Sequence, residues 1–137
     1  MAPSPTNSYR IYLLDDDRFL LDMYALKFKT TGHAVSTASR GEELLTLLKE
    51  QPEPDAVLLD VVMPGMSGFD TFAAIRKDNL IKKGIVIMLT NQGSDADLDR
   101  AKELGAAGYI VKASAIPSEV VAQTIALIEK NKTTTGS

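Results

Sequence analysis

Residues 56–77 read AVLLDVVMPGMSGFDTFAAIRK, and this stretch decides the fold class. Its first four residues, 56–59, form a continuous apolar run, which is typical of a strand covered on both faces of a parallel sheet. Residues 63–68 are rich in Gly and contain a Pro, so they predict a turn. Residues 69–77 then have helical periodicity. The stretch therefore predicts a buried strand, a turn and a helix, in that order.

The same alternation extends in both directions along the chain. Apolar runs that predict further strands lie at residues 11–14, 85–89 and 109–111, and the β-branched residues of the weaker segment 34–38 predict a strand near a sheet edge. Helices are predicted between and after these segments. The first covers residues 19–28 and stops at Gly32, and the second is opened by a capping box of Ser39 and Glu42. The fourth is capped by Ser94 with Asp97 and ends before Gly105, and the fifth covers residues 118–130. Five strand-helix repeats predict an α/β domain with a parallel sheet and helices on both faces.

The composition fits one globular domain in a reducing compartment. The chain has 137 residues, 45% of them hydrophobic, and no cysteine, which excludes disulfides and thiolate metal sites. We expect a disordered leader at residues 1–8, the domain at 9–131, and a disordered tail or linker stub at 132–137. Because residues 1–8 lack the apolar run of a signal peptide or membrane anchor, we expect a cytoplasmic location and no membrane contact.

The charge pattern argues against direct contact with nucleic acid. The net charge is -3 at pH 7, and the Lys and Arg residues are scattered rather than clustered, as binding to a phosphate backbone requires. The chain after residue 130 is too short for a helix-turn-helix module. We therefore expect output from a surface of this domain, or from domains absent from this chain.

Polar side chains follow four of the predicted strands. The first strand is followed by Asp15, Asp16 and Asp17, the third by Asp60, the fourth by Thr90 and the fifth by Lys112. Parallel strands bring their carboxyl ends to one edge of the sheet, so these side chains are expected to meet in one cleft. Asp17 is interpreted as the cap of the first helix and nothing more.

Crowded carboxylates predict a cation in this cleft. Asp15, Asp16 and Asp60 repel one another unless a positive charge lies among them. An oxygen-only ligand set favours a hard ion, and Mg²⁺ fits best, with Mn²⁺ as a possible substitute. A metal ion beside a carboxylate and an ammonium group suits phosphoryl transfer. Asp60 is then the candidate nucleophile, and Lys112 and Thr90 are candidate contacts to phosphoryl oxygens.

Four segments carry a resemblance to a known family: LLDDDRFLLDMY at residues 13–24, LLDVVMPGMSGFD at 58–70, VIMLTN at 86–91 and GAAGYIVK at 105–112. In this order and at this spacing they resemble the receiver domains of two-component response regulators, over residues 9–130. The resemblance implies a doubly wound, flavodoxin-like fold of five parallel strands in the order 2-1-3-4-5. It also implies a signalling switch that catalyses only its own phosphorylation and dephosphorylation.

The resemblance assigns roles to the residues of the cleft. It implies that Asp60 is the phosphoacceptor, and that Asp16, Asp60 and the backbone carbonyl of Val62 bind Mg²⁺ directly. Asp15 would act largely through water. The implied phosphodonor is a phosphohistidine on a sensor histidine kinase or on a histidine phosphotransfer protein.

The resemblance also implies how the switch is read. Tyr109 matches an aromatic switch position, which turns inward when Thr90 moves toward the phosphate. The readout surface would consist of the fourth helix, the fifth strand and the fifth helix. An output protein or domain, or a second copy of the chain in a homodimer, would bind there.

Several positions differ from the family pattern and keep two alternatives open. Ala113 follows Lys112 where the family has a proline with a cis peptide bond, and Asn91 stands where a small residue is common. Val62 and Gln92 occupy positions that tune the lifetime of the phosphoryl group in the family. One alternative is a scaffold module that keeps the fold without the switch. The other is a metal-dependent phosphatase or phosphomutase, which normally needs a further domain.

Two further features are an apolar stripe on the fifth predicted helix, which has two competing interpretations, and His33, which has no assigned function. The fifth predicted helix carries an apolar stripe that is wider than one buried face requires, formed by Val120, Val121, Ala122, Ile125, Ala126, Leu127 and Ile128. It indicates either a partner or dimer contact or a helix that is well buried. His33 is interpreted as a surface loop residue without an assigned function.

Overall fold

Five strands alternate with five helices in the computed structural model, which describes residues 8–91, 94–112 and 115–136, with side chains described to residue 132. The strands are β1 (Arg10–Leu14), β2 (Ala34–Ala38), β3 (Ala56–Asp60), β4 (Ile85–Thr90) and β5 (Gly108–Val111). The helices are α1 (Arg18–Thr30), α2 (Gly41–Glu50), α3 (Gly68–Lys77), α4 (Asp95–Leu104) and α5 (Pro117–Gly136). The predicted succession of elements is confirmed.

All five strands are parallel and lie in the order β2-β1-β3-β4-β5, as predicted. The central strand β3 and its neighbour β4 are buried along their whole length, whereas the edge strands β2 and β5 are partly exposed. The strand order reverses direction at β1, so a crevice opens at the carboxyl ends of β1 and β3. That crevice is where the predicted cleft residues lie.

Alternate residues of the inner strands feed two separate cores. One core packs Ile11, Leu13 and Leu58 against α1 and α5, and the other packs Tyr12 and Leu14 against α2, α3 and α4. This division follows from the two-residue period of a strand, which sends successive side chains to opposite faces. Helices therefore cover both faces of the sheet and fix the strand ends.

Of the three helix caps predicted from the sequence, two are confirmed and one is wrong. Asp17 caps α1 by accepting the N–H of Leu20, and Ser94 caps α4 by accepting the N–H of Asp97. The predicted capping box of Ser39 and Glu42 is wrong, because the N–H of Ser39 donates to Glu43 at 2.9 Å and α2 begins at Gly41.

Tertiary packing explains where α2 begins. Gly41 is buried, and a Cβ atom there would overlap the hydroxyl of Thr71 on α3. Only glycine permits this close approach of the two helices. A local capping pattern contains no information about that contact.

The fifth helix extends beyond its predicted end at residue 130. It continues to Gly136 and so includes residues 132–136 of the segment predicted to be a disordered tail. Its last turns contact the start of β1, since the Lys132 ammonium lies 5.1 Å from the centroid of the Tyr9 ring and the Tyr9 hydroxyl donates to Glu129 at 3.2 Å. Of the predicted leader, residues 1–7 lie outside the described ranges, and Ser8 donates its hydroxyl to the Gly32 carbonyl at 2.7 Å. The boundaries 9–131 stay a prediction.

Most of the apolar stripe on α5 faces the core. Val120, Val121 and Ile128 are buried, and Ile125 and Leu127 pack against the same core while partly exposed. The exposed members of the stripe are the small residues Ala122 and Ala126. Burial therefore explains the width of the stripe, and the turns of α5 whose side chains are described offer little apolar surface to a partner.

His33 contributes to the structure more than its predicted loop position indicates. Its Nδ1 atom accepts the backbone N–H of Tyr9 at 3.1 Å, and its ring stacks on the Tyr9 ring with 5.7 Å between centroids. His33 lies in the loop before β2, as predicted, and is half-buried; its imidazole joins that loop to the residue before β1. No helix within the described ranges is long and apolar enough to cross a membrane.

Candidate functional site

The carboxylates predicted to share a cleft do lie together. Asp15 directly follows β1 and is 2% exposed, and Asp60 is the last residue of β3 and is 4% exposed. Asp16, next to Asp15, is exposed. One carboxylate oxygen from each of the three lies within 4.8 Å of the others. The parallel sheet produces this arrangement by placing the carboxyl ends of β1 and β3 side by side.

Lys112, directly after β5, supplies the positive charge of the cleft. Its Nζ atom lies 2.6 Å from Oδ2 of Asp15 and 3.2 Å from Oδ1 of Asp60, and its side chain is 6% exposed. The other carboxylate oxygen of Asp15 accepts the backbone N–H of Asp17 at 2.9 Å. Both oxygens of Asp15 are therefore bound by protein donors, whereas among the described residues Asp60 contacts the ammonium group of Lys112.

Burial changes the protonation of these groups. Burial, followed by the charge of Asp15, raises the pKa of Asp60 to about 7, although the nearby Lys112 ammonium counteracts this rise. Burial alone would lower the pKa of Lys112, but its hydrogen bond to Asp15 and the charge of Asp60 raise it overall. In the absence of a metal ion, the cleft thus holds a fixed cation and an aspartate that is partly protonated near neutral pH.

The raised pKa of Asp60 predicts a pH-dependent stability of the metal-free protein. The folded state binds a proton on Asp60 that the unfolded state releases above its ordinary pKa near 4, so this group lowers the free energy of unfolding as pH rises from about 4 to about 7. The loss over this window is on the order of 2–4 kcal/mol for a shift of this size.

Urea unfolding of wild type and Asp60→Asn, in EDTA at several pH values, isolates this effect. Groups whose pKa is lowered on folding, such as His33 and Glu53, act in the opposite direction in both proteins and cancel in the difference. We expect the asparagine variant to gain stability over wild type as pH rises from 4 to 7. A difference between the two proteins that is constant with pH would contradict the prediction.

Thr90 and Tyr109 link the cleft to the neighbouring surface. Thr90 is 3% exposed at the end of β4, and its hydroxyl hydrogen-bonds the hydroxyl of Tyr109 on β5. Burial and the charge of Asp97 on α4 raise the pKa of Tyr109, so its hydroxyl stays protonated at neutral pH. The side chain of Tyr109 therefore joins the cleft to α4.

The loop after β3 depends on Gly68, the last residue of the turn predicted at 63–68. Gly68 is buried, its N–H donates to the Val61 carbonyl at 3.1 Å, and a Cβ atom there would overlap the backbone carbonyl oxygen of Asp60. Glycine thus lets α3 begin against the backbone of Asp60. Its position immediately before a predicted helix was the available signal. Val62 in the same loop points its side chain outward, with 74% of it exposed.

Sequence reasoning missed one buried residue near the cleft. Tyr24 of α1 is buried, and burial raises the pKa of its hydroxyl, on which the charges of Lys112, Asp15 and Asp60 also act. The hydroxyl therefore lies close to the acidic cleft. Its only signal in the sequence was a polar group among the inward positions of the first helix.

Two of the positions discussed against the family pattern, Ala113 and Gln92, lie outside the described residues. Asn91 follows β4 and is exposed. Its side chain therefore stands at the surface beside the buried Thr90.

The chain is similar to known proteins in sequence and in structure. The sequence model of the family described as the response regulator receiver domain matches residues 11–123. The transcriptional regulatory protein AfsQ1 of Streptomyces coelicolor is 37% identical over 102 residues, which cover 74% of this chain and 44% of that protein. The probable transcriptional regulator ycf27 of Guillardia theta is 36% identical over 121 residues, which cover 88% of this chain and 46% of that protein. The chain thus spans about half the length of these relatives.

Solved structures give the same result for the fold. The chemotaxis protein CheY4 of Vibrio cholerae superposes with a TM-score of 0.81 at 26% identity, covering 88% of this chain and 99% of that one. The response regulator DrrB of Thermotoga maritima superposes with a TM-score of 0.75 at 27% identity, covering 90% of this chain and 54% of that one. With the family match over most of its length, this chain belongs to the response regulator receiver domains of two-component signalling.

Proposed function

We propose that this domain is a phosphorylation switch that accepts a phosphoryl group on Asp60, with Mg²⁺, from a sensor histidine kinase or a histidine phosphotransfer protein. One observation carries the proposal. The buried Asp60 carboxylate lies within 4.8 Å of two further carboxylates and 3.2 Å from a buried ammonium group. Such an arrangement binds a hard cation and a phosphoryl group together.

The donor set fits a magnesium ion. Three carboxylates face one ammonium group, which leaves an excess of negative charge, and every side-chain donor of the cluster is an oxygen. Asp16 and Asp60 are the proposed direct ligands, together with the Val62 carbonyl. Asp15 acts through water, since both of its oxygens already accept protein hydrogen bonds. When bound, Mg²⁺ or Mn²⁺ neutralises charge at the carboxylates and at the incoming phosphoryl group.

The chain's own groups perform the transfer. A carboxylate oxygen of Asp60 attacks the phosphorus of the phosphohistidine, the nitrogen–phosphorus bond breaks, and its electron pair remains on the imidazole nitrogen. The product is an acyl phosphate on Asp60, which water later hydrolyses. Lys112 donates to one phosphoryl oxygen and Thr90 to another, because Thr90 ends β4 next to β3 and the Lys112 ammonium lies 3.2 Å from Asp60. The domain has no other substrate in this proposal.

The signal leaves through the surface of α4, β5 and α5. When the Thr90 hydroxyl turns to the phosphoryl group, its hydrogen bond to Tyr109 is lost, and Tyr109 is free to change its position against α4. An output protein, an output domain or a second copy of the chain reads that change. We expect this to occur in the cytoplasm, without direct contact of this domain with nucleic acid.

A labelling experiment on the wild-type domain tests the proposal. The protein is incubated with acetyl phosphate, with Mg²⁺ or with EDTA, and its intact mass is measured. We expect one added phosphoryl group with Mg²⁺ and none with EDTA, and peptide mapping after borohydride reduction is expected to identify Asp60. Absence of an adduct at saturating Mg²⁺, or an adduct on another residue, would refute the proposal.

A further inference from the structure

A cavity of about 1270 Å³ lies at the opposite end of the sheet from the acidic cleft. It is bounded by the loops that precede β3, β4 and β5, and by the last turns of α5. Four cationic side chains line it: Arg76, Lys82, Lys83 and Lys132. The proposed phosphorylation uses none of them.

Backbone groups already occupy the two carboxylates of this cavity. Glu53 accepts the N–H groups of Lys82, Lys83 and Gly84 at 2.9, 2.6 and 2.8 Å. Asp55 accepts the N–H of Arg10 at 2.8 Å. Both carboxylates therefore serve to hold the loops in place.

The lysine ammonium groups make weaker contacts: that of Lys132 lies over the Tyr9 ring, and the charge of Lys82 helps to lower the pKa of Glu53. In the part of the chain that the structure describes, none of Lys82, Lys83 and Lys132 forms an ion pair. Lys82 and Lys83 have exposed side chains, and their backbones are fixed by Glu53. Four cations against two carboxylates leave an excess positive charge here, although the chain as a whole is negative.

Helix ends account for only one of the four cations. Arg76 donates to the carbonyls of Leu104 and Gly105 at 2.8 and 3.1 Å, and its guanidinium lies 5.0 Å from the Phe72 ring centroid. This cation neutralises the carboxyl end of α4, as helix termini commonly require. Lys82 and Lys83 instead belong to the loop before β4, outside the last turn of any helix. The end of a helix therefore does not account for these two lysines.

We propose that this cavity binds a small organic diphosphate, of the kind carried by a nucleoside diphosphate. Lys82 and Lys83 would contact the phosphate groups from a loop held by Glu53, and Lys132 would approach from α5. The cavity is large enough for such a ligand, since sites for small molecules usually occupy about 300–1,000 Å³. Its remaining wall includes Ala106, Ala107 and Ile128, which suits the less polar part of the molecule.

Isothermal titration calorimetry with ADP, pyrophosphate and adenosine tests the proposal. The titrations are done in EDTA, so that a metal-bound nucleotide cannot bind at the acidic cleft. We expect ADP to bind with a dissociation constant below about 1 mM. Pyrophosphate binding equal to ADP would assign recognition to the diphosphate alone, and tighter ADP binding would add the nucleoside. Absence of binding by both phosphate compounds, or equal binding of ADP and adenosine, would overturn the proposal.

Charge-removing variants locate the site. Lys82→Gln combined with Lys83→Gln is expected to weaken ADP binding at least tenfold, because it removes two positive charges that are proposed to contact the phosphate groups. Both side chains are exposed, so the fold is expected to remain intact. The matched control combines Lys29→Gln with Lys49→Gln, two exposed lysines outside the cavity, and is expected to bind like wild type. Equal weakening in both double variants would mean non-specific attraction and would overturn the assignment. Because labelling of Asp60 is measured separately, failure here leaves the proposed phosphorylation standing.

Discussion

Replacement of Asp60 by asparagine is expected to abolish labelling by acetyl phosphate and Mg²⁺. The amide has nearly the shape of the carboxylate but lacks the negative oxygen that attacks phosphorus. It also removes one of the proposed metal ligands. Because the side chain is buried beside Asp15 and Lys112, asparagine can keep a hydrogen bond in the cleft, and the fold is expected to remain.

A matched variant separates loss of the nucleophile from loss of nearby charge. Asp17→Asn removes a carboxylate that caps α1 by accepting the N–H of Leu20, and asparagine caps helices equally well. We expect this variant to be labelled at a rate close to that of wild type. Labelling of Asp60→Asn at the wild-type level, measured by intact mass, would exclude Asp60 as the phosphoacceptor.

Replacement of Lys112 by methionine is expected to destabilise the metal-free protein by about 3 kcal/mol, the usual cost of removing one partner from a buried ion pair. Asp15 and Asp60 are 2% and 4% exposed, so without the ammonium they stay close together with no counter-charge. Methionine preserves the apolar part of the side chain. The destabilisation therefore reports the charge rather than the packing.

Urea unfolding at pH 8, with and without Mg²⁺, measures this effect. We expect Mg²⁺ to stabilise Lys112→Met more than it stabilises wild type, because the ion then supplies the missing positive charge. The initial rate of labelling is expected to fall about 100-fold, as is usual when one charged donor to a transition state is removed. Lys49→Met, at an exposed position of α2, is the control. Unchanged stability of Lys112→Met without metal would show that the ammonium does not balance the two carboxylates.

Local pattern was sufficient for most of the architecture. Continuous apolar runs identified four strands and β-branched residues the fifth, and Gly32, with a φ of 98°, ends the first helical region as its position predicted. The same reasoning misplaced the start of α2 by relying on Ser39 and Glu42. It also ended α5 early, because contacts of Lys132 and Glu129 with Tyr9 join residues more than a hundred positions apart. Periodicity reports which face of an element is apolar, and it does not report what that face meets.

The candidate site divides in the same way. Placing acids, a threonine and a lysine after successive parallel strands is enough to predict that they meet at one edge. The bond of Lys112 to Asp15, and the hydrogen bond of Thr90 to Tyr109, depend on distances of a few ångströms between remote segments. The contact of Gly68 with the Asp60 backbone and the position of Tyr24 beside the cleft were not predicted for that reason, since both arise only from packing.

The sequence by itself determined the order of the elements, the parallel sheet and the identity of the residues at its carboxyl edge. It did so because strand and helix periods, and the geometry of parallel strands, are properties of the local chain. Only the tertiary structure decided that Asp60 is buried with Asp15 and therefore has a pKa near 7. It also decided that Lys82 and Lys83 line a cavity whose carboxylates are already occupied. Burial and charge balance are sums over neighbours, and most of those neighbours are far away along the chain.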